Sequence, residues 1–231
     1  MGSPRKQSVN GAFHQHVVRN RVNTGVDGMA HMNLHLVCTL KTGLKTLKKL
    51  ASQEQKNIMI KVLFICHGNI CRSCMAEFYF KELVEKNGMA DCFEIASAAT
   101  HTDEIWNGHG SPMYPDAVDE MKRRGIDRPD MKLKHARLMT RQDYARYDLL
   151  IGMDGENLFD MKRIAGGDPD HKIHLLLDYD GKHRSVADPW YTGDFVTAMN
   201  DIAAGCDALY ENLISHNAQA LKNEGETLDK Q

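Results

Sequence analysis

The segment Ile60-Lys61-Val62-Leu63-Phe64-Ile65-Cys66 constrains the fold of this chain more than any other. After Lys61 it is apolar at every position. A strand with one face in water would alternate polar and apolar residues, so residues 60–65 read as a strand buried on both faces. The run is far short of the roughly 20 apolar residues that a membrane-spanning helix needs, and no other stretch comes nearer. Downstream the pattern repeats. Helices are expected over 73–86, ending near Gly88, over 115–124, stopped by Gly125, over 155–164, ending at Gly166-Gly167, and over 194–217. Strands are expected over 93–98, 147–153 and 172–177. Strands alternating with helices imply an α/β chain with a four-stranded parallel sheet and helices on both faces. Ligands of such sheets bind outside the C-terminal ends of the strands. The first of those ends is Cys66.

Residues 1–57 have a different character. They carry nine Lys and Arg against two Asp and Glu, a balance of +7, which leaves 20 basic and 29 acidic residues, or −9, for residues 58–231. The mildly acidic body excludes a general nucleic-acid binder. The first 57 residues read as a basic, non-catalytic extension, poorly ordered or partly helical. Leu40, Leu44, Leu47 and Leu50 fall at helical spacing. That pattern suits a short basic amphipathic helix, a marginal solvated helix, or translated sequence upstream of a start at Met59. Gly43 interrupts it and costs about 1 kcal/mol against Ala. Residues 34–38 are too short and interrupted for a signal-peptide core, and Lys6 stands where a myristoylation site needs Ser or Thr. Six cysteines in 231 residues are too sparse for a disulfide scaffold. These features together predict a cytoplasmic location.

Three of the cysteines cluster at Cys66, Cys71 and Cys74. The segment Cys66-His67-Gly68-Asn69-Ile70-Cys71-Arg72-Ser73 joins the buried strand to a helix. A tight turn at a helix N-terminus aims several backbone N–H groups at one point, and the helix dipole adds partial positive charge. Gly68 and Asn69 tolerate left-handed backbone conformations, and a loop curled in that way is an anion-binding nest. Arg72 adds a planar fork suited to two phosphate oxygens. Ser73 is a natural N-cap that can also donate its hydroxyl into the loop. The field that holds a phosphate also stabilises a thiolate at Cys66. The loop therefore offers a nucleophile, an oxyanion cradle and a transition-state clamp. A thiolate attacking phosphorus displaces an alcohol or phenol and leaves a phosphocysteine for water to hydrolyse, with no metal or other cofactor.

The spacing of the three cysteines also fits plant-type iron–sulfur ligands, and Cys71-Arg72-Ser73-Cys74 is a bare C-x-x-C. Both need further ligands, and Cys92 and Cys206 have no partner motif nearby. Cys74 is expected to pack behind the loop. His67 is expected to face the rim of the loop.

The leaving oxygen needs a proton, and general acid catalysis contributes typically 10²–10⁴-fold. The group at hand is Asp188 in Ala187-Asp188-Pro189-Trp190-Tyr191-Thr192-Gly193. It follows the fourth expected strand, which puts it on the same rim as Cys66. Trp190 and Tyr191 can wall a slot for a flat aromatic substituent. Trp106, in the glycine-rich segment 103–112, either joins that wall or covers the core.

These residues resemble the low-molecular-weight protein tyrosine phosphatases. The loop carries the family's C-x5-R-[ST] signature in the fuller form C-x-G-N-x-C-R-S, and D-P-[WY]-Y stands near the C-terminus as it does there. Ser97-Ala98-Ala99-Thr100 and Met153-Asp154 match as well, and the resemblance covers roughly residues 59–215. It implies Cys66 as nucleophile, Arg72 and the backbone of 67–72 as phosphate binders, and Asp188 as acid and then base. It further implies that Ser73 stabilises the departing thiolate, that Asn69 shapes the loop and is braced by Ser97, and that Cys71 forms a reversible disulfide with Cys66 under oxidation. Residues 58–231 would be the phosphatase domain, with phosphotyrosine-containing proteins as partners. The family usually has Pro at Cys74, and many members have His at Lys134, where this chain has His135 one residue late. Asp154 and Asn157 read as helix-capping.

Two other activities use a similar loop. Arsenate reductases carry a disulfide outward on further, closely spaced cysteines, which this chain lacks. Phosphoarginine phosphatases commonly have Thr at the position of Ile70, so phosphotyrosine is favoured.

Overall fold

A computed structural model describes residues 59–228, with side chains to residue 215. The expectations for residues 1–57 lie outside the described residues. In chain order the elements are β1 (Ile60–Cys66), α1 (Arg72–Lys86), β2 (Phe93–Ala99), a hairpin of β3 (Ile105–Trp106) and β4 (His109–Gly110), and α2 (Pro115–Arg123). There follow α3 (Arg141–Arg146), β5 (Leu149–Gly152), α4 (Gly155–Ala165), β6 (Ile173–Leu175), the single turn α5 (Pro189–Thr192), and α6 (Phe195–Leu228).

β1 lies inside a four-stranded sheet of order β2-β1-β5-β6, paired in parallel on both edges. That position explains its unbroken apolar run. Val62 and Phe64 face one layer, where they meet residues of α1, α2 and α6. Leu63 and Ile65 face the other, against Tyr144 of α3 and Met161 and Ala165 of α4. Helices thus cover both faces, as expected. Phe64, Phe80, Phe93 and Tyr210 form a chain of ring contacts in the first layer. Burying each of the three Phe side chains stabilises the fold by about 1.5–3 kcal/mol.

The topology places β2 and β5 on opposite sides of β1. The strand order reverses there, and a crevice opens beyond the C-terminal ends of β1 and β5. Cys66 ends β1, and Asp154 follows β5 by two residues.

Several boundaries differ from the sequence reading. The fourth strand stops at Leu175, and Leu176–Asp178 turn into a 3₁₀ helix whose Leu176 packs under α6. Gly205 permits that approach, since a Cβ there would lie 2.6 Å from the Leu176 Cγ. α3 has no counterpart in the reading. It begins with a capping box in which Thr140 and Asp143 bind each other's backbone. α1 begins one residue early, with Cys71 rather than Ser73 as the N-cap residue.

Candidate active site

Asn69 adopts φ 57 and is buried, with its side chain turned inward as the brace of the loop. Its Nδ2 donates to Ser97 Oγ at 2.7 Å and to Ser73 Oγ at 3.0 Å. Its Oδ1 accepts from the Arg137 amide at 3.1 Å. Ser97 in turn donates to Glu77 Oε2 at 2.6 Å. Burial pushes the Glu77 carboxyl up, but Lys134 and Lys81 outweigh it and hold the group below its ordinary value. An ionised Glu77 only accepts, which fixes the direction of the chain. Ser97 gives its hydrogen to Glu77 and receives one from Asn69, and Asn69 gives its second to Ser73. Ser73 is then free to donate to Cys66 Sγ, which lies 3.0 Å away. The missing cap is explained as well, because the Ser73 hydroxyl serves the sulfur. α1 has no side-chain cap and no acidic residue in its first turn, so its positive end stays directed at the loop.

Lys134 completes this support. Its Nζ lies 3.1 Å from Glu77 Oε2 and 3.2 Å from the Ser97 carbonyl, whereas His135 is exposed and bonds locally to Leu133. The lysine therefore occupies the supporting place, and His135 does not.

Arg72 is only 4% exposed. Its guanidinium spans two carboxylates, with Nη1 2.7 Å from Asp154 Oδ2 and Nη2 2.6 Å from Asp188 Oδ2. Burial opposes its charge, but Cys66, Asp188 and Asp154 outweigh burial and raise it, so it stays a cation. Asp154 has two duties, because its other oxygen caps α4 through the Asn157 amide at 2.7 Å. The cap is legible in the sequence, and the contact with the arginine is not. Asp188 caps α5 in the same manner, its Oδ1 accepting from the Trp190 amide at 3.0 Å.

A cavity of about 270 Å³ opens above the loop. Cys66, Ile70 and Arg72 line it, as do Asp188, Trp190 and Tyr191. The structure thus brings the expected nucleophile, clamp, acid and aromatic wall to one place. Trp106 does not join the wall expected of it. It lies outside the cavity and is 71% exposed. Asn107 and Gly108, both at positive φ, make the tight turn of the β3–β4 hairpin. Alternation along β3 turns Ile105 toward the core and Trp106 to solvent. Asp103 and Glu104, just before the hairpin, line the cavity instead. His67 lies on the rim as expected, its Nε2 2.5 Å from Asp103 Oδ2 and its ring stacked on His101 at 4.1 Å.

Burial favours the neutral form of the neighbouring thiols. Burial first, then the charge on Cys66, pushes the Cys71 thiol up to about 12. Burial also pushes Cys74 up, and its sulfur donates backward to the Asn69 carbonyl at 3.0 Å. Among the described residues no three His, Cys, Asp or Glu side chains are grouped so as to hold a metal ion.

The sequence model of the family described as low molecular weight phosphotyrosine protein phosphatase matches residues 61–224. A low molecular weight protein-tyrosine-phosphatase of Bacillus subtilis, YfkJ, is 36% identical over 157 residues, which is 67% of this chain and 96% of that protein. The crystal structure of YfkJ superposes with a TM-score of 0.61 at 35% identity, covering 68% of this chain and 96% of that one. The Drosophila arginine phosphatase DARP superposes with a TM-score of 0.59 at 28% identity, covering 67% of this chain and 98% of that one.

Proposed function

The chain belongs to the low molecular weight phosphotyrosine protein phosphatase family, and on that premise we propose that Cys66, Arg72 and Asp188 carry out its hydrolysis of phosphotyrosine in proteins. The reading rests on one observation: all three side chains line a single cavity, with Arg72 and Asp188 in contact at 2.6 Å. The phosphoryl oxygens take the N–H groups of residues 67–72 and the Arg72 guanidinium. The Cys66 thiolate attacks phosphorus, the bond to the tyrosine oxygen breaks, and Asp188 gives that oxygen its proton. Asp188, now a carboxylate, takes a proton from water as the water oxygen attacks the phosphocysteine. The sulfur departs as a thiolate with the Ser73 hydroxyl directed at it, and inorganic phosphate is released. No step needs a metal.

Trp190 and Tyr191 suit a flat ring, and the buried Ile70 offers no hydroxyl to a phosphoguanidinium group. A panel of peptides bearing phosphotyrosine, phosphoserine or phosphoarginine is expected to show hydrolysis of the first alone. Faster release of phosphate from phosphoarginine would reassign the substrate. Among the described residues arsenate reduction finds no thiol pair to carry a disulfide outward, because Cys206 is fully buried and Cys92 stands by itself.

Residues 58–231 form the phosphatase domain in this reading, and residues 1–57 contribute none of the groups named. Deleting 1–57 is expected to leave kcat/KM for p-nitrophenyl phosphate unchanged; collapse of the rate would make the extension integral. In this reading Cys71 is the thiol that condenses with a Cys66 sulfenic acid formed by hydrogen peroxide, giving a disulfide and water. The free thiols of the loop suit the reducing cytoplasm. Among the described residues no helix is long and apolar enough to cross a membrane.

A further inference from the structure

Between the 3₁₀ turn that ends at Asp178 and the start of α5 the chain has no helix or strand, yet it must deliver Asp188 to Arg72 within hydrogen-bond distance. Its anchors converge on one residue of α6. Asp201 is buried, 5% exposed, and takes no part in the chemistry above. Arg184 grips it with both arms of its guanidinium, Nη1 to Oδ2 at 2.7 Å and Nη2 to Oδ1 at 2.5 Å. Asp201 Oδ2 also accepts from the Ala187 amide at 3.1 Å, and Ala187 immediately precedes Asp188. Between those two anchors the buried Val186 donates its amide to the Met153 carbonyl at 2.8 Å, next to Asp154. Arg184, Val186 and Ala187 are therefore all fixed, two of them by the same carboxylate. A planar fork on a carboxylate sets orientation as well as distance, which a point charge does not. Burial pushes the Asp201 carboxyl up, but Arg184 and the Ala187 amide outweigh it and hold it below its ordinary value, so the clamp is ionic.

We propose that Asp201 is a positioning residue for proton transfer, holding Asp188 in place by binding the Arg184 guanidinium and the Ala187 amide together. The inference rests on the reading of Asp188 as general acid. A misplacement of about 1 Å can cost on the order of 10²-fold in rate. A poor leaving group depends on the proton more than a good one does.

The test uses the full chain and kcat/KM, which reports the step that breaks the ester bond. Asp201→Asn keeps the shape and loses the charge. It is expected to lower kcat/KM for phenyl phosphate by roughly ten- to a hundredfold, and to lower it less for p-nitrophenyl phosphate. In an Asp188→Asn background the same change should add no further leaving-group dependence. Arg184→Lys, at an exposed position, keeps the charge without the fork. It should show the same dependence to a smaller extent, and it serves if Asp201→Asn does not fold. Equal losses on both esters, or the same further loss without the Asp188 carboxyl, would overturn the proposal. If Asp188→Asn itself showed no leaving-group dependence, the acid assignment would fail instead.

Discussion

Cys66→Ser is expected to lower kcat/KM for p-nitrophenyl phosphate by on the order of 10⁵–10⁶, the scale of deleting a nucleophile. The hydroxyl is not ionised where a thiolate would be, and an alkoxide is a much poorer leaving group than a thiolate in the second step. The substitution is otherwise mild. A hydroxyl at this position still reaches Ser73, whose oxygen lies 3.0 Å from the native sulfur, and the Asn69 brace does not involve residue 66 directly. Affinity for inorganic phosphate, measured by calorimetry, should therefore survive while turnover does not. Turnover that persisted would place the nucleophile elsewhere. Joint loss of turnover and phosphate affinity would mean that the loop had collapsed and that the rate said nothing about the sulfur.

Asp188→Asn is expected to slow phenyl phosphate by about 10²–10⁴-fold in kcat/KM, the usual worth of a general acid. Asn is chosen over Ala because its Oδ1 can still cap α5 through the Trp190 amide, now 3.0 Å from the carboxylate. The transferable proton is lost, together with the carboxylate charge beside Arg72. The loss should be smaller for p-nitrophenyl phosphate, whose leaving oxygen needs the proton less. Removing the carboxylate also frees Arg72 Nη2 from its 2.6 Å partner, so inhibition by inorganic phosphate should not weaken. A rate loss that is uniform across leaving groups would assign the proton to another group. Weaker phosphate inhibition would assign Asp188 to binding.

The sheet and the loop were legible because their signals are local. Five consecutive apolar residues ending in a Gly-Asn turn can be read within one window, and so can a helix between a Ser and a Gly. The acid could be placed because open parallel sheets gather their functional loops at one rim. Short elements were harder. Six residues of α3 show no helical period, although Thr140 and Asp143 carry the capping-box spacing that announces it. The Asn107-Gly108 pair announces the hairpin, and reading it would have turned Trp106 outward by alternation. Of the long-range partners, the Ser97 brace on Asn69 was reached through the family resemblance, and the others left no trace. Lys134 meets Glu77, and Asp154 meets Arg72 82 residues earlier in the chain, only because the fold brings them together. Asp201 looks like any helical acid until Arg184 closes on it.

A carboxyl group in water is symmetric, and its proton has no preferred atom. Asp188 has lost that symmetry. One oxygen is held by a peptide hydrogen that belongs to the first turn after Pro189 and cannot swing away, while the other meets a guanidinium edge that can turn to an arriving phosphate. In the mechanism proposed above, Oδ2 is the oxygen left to exchange the proton once the guanidinium turns to the phosphate, while Oδ1 stays engaged with the turn. A four-residue turn thereby decides which oxygen of the acid is left to handle the proton.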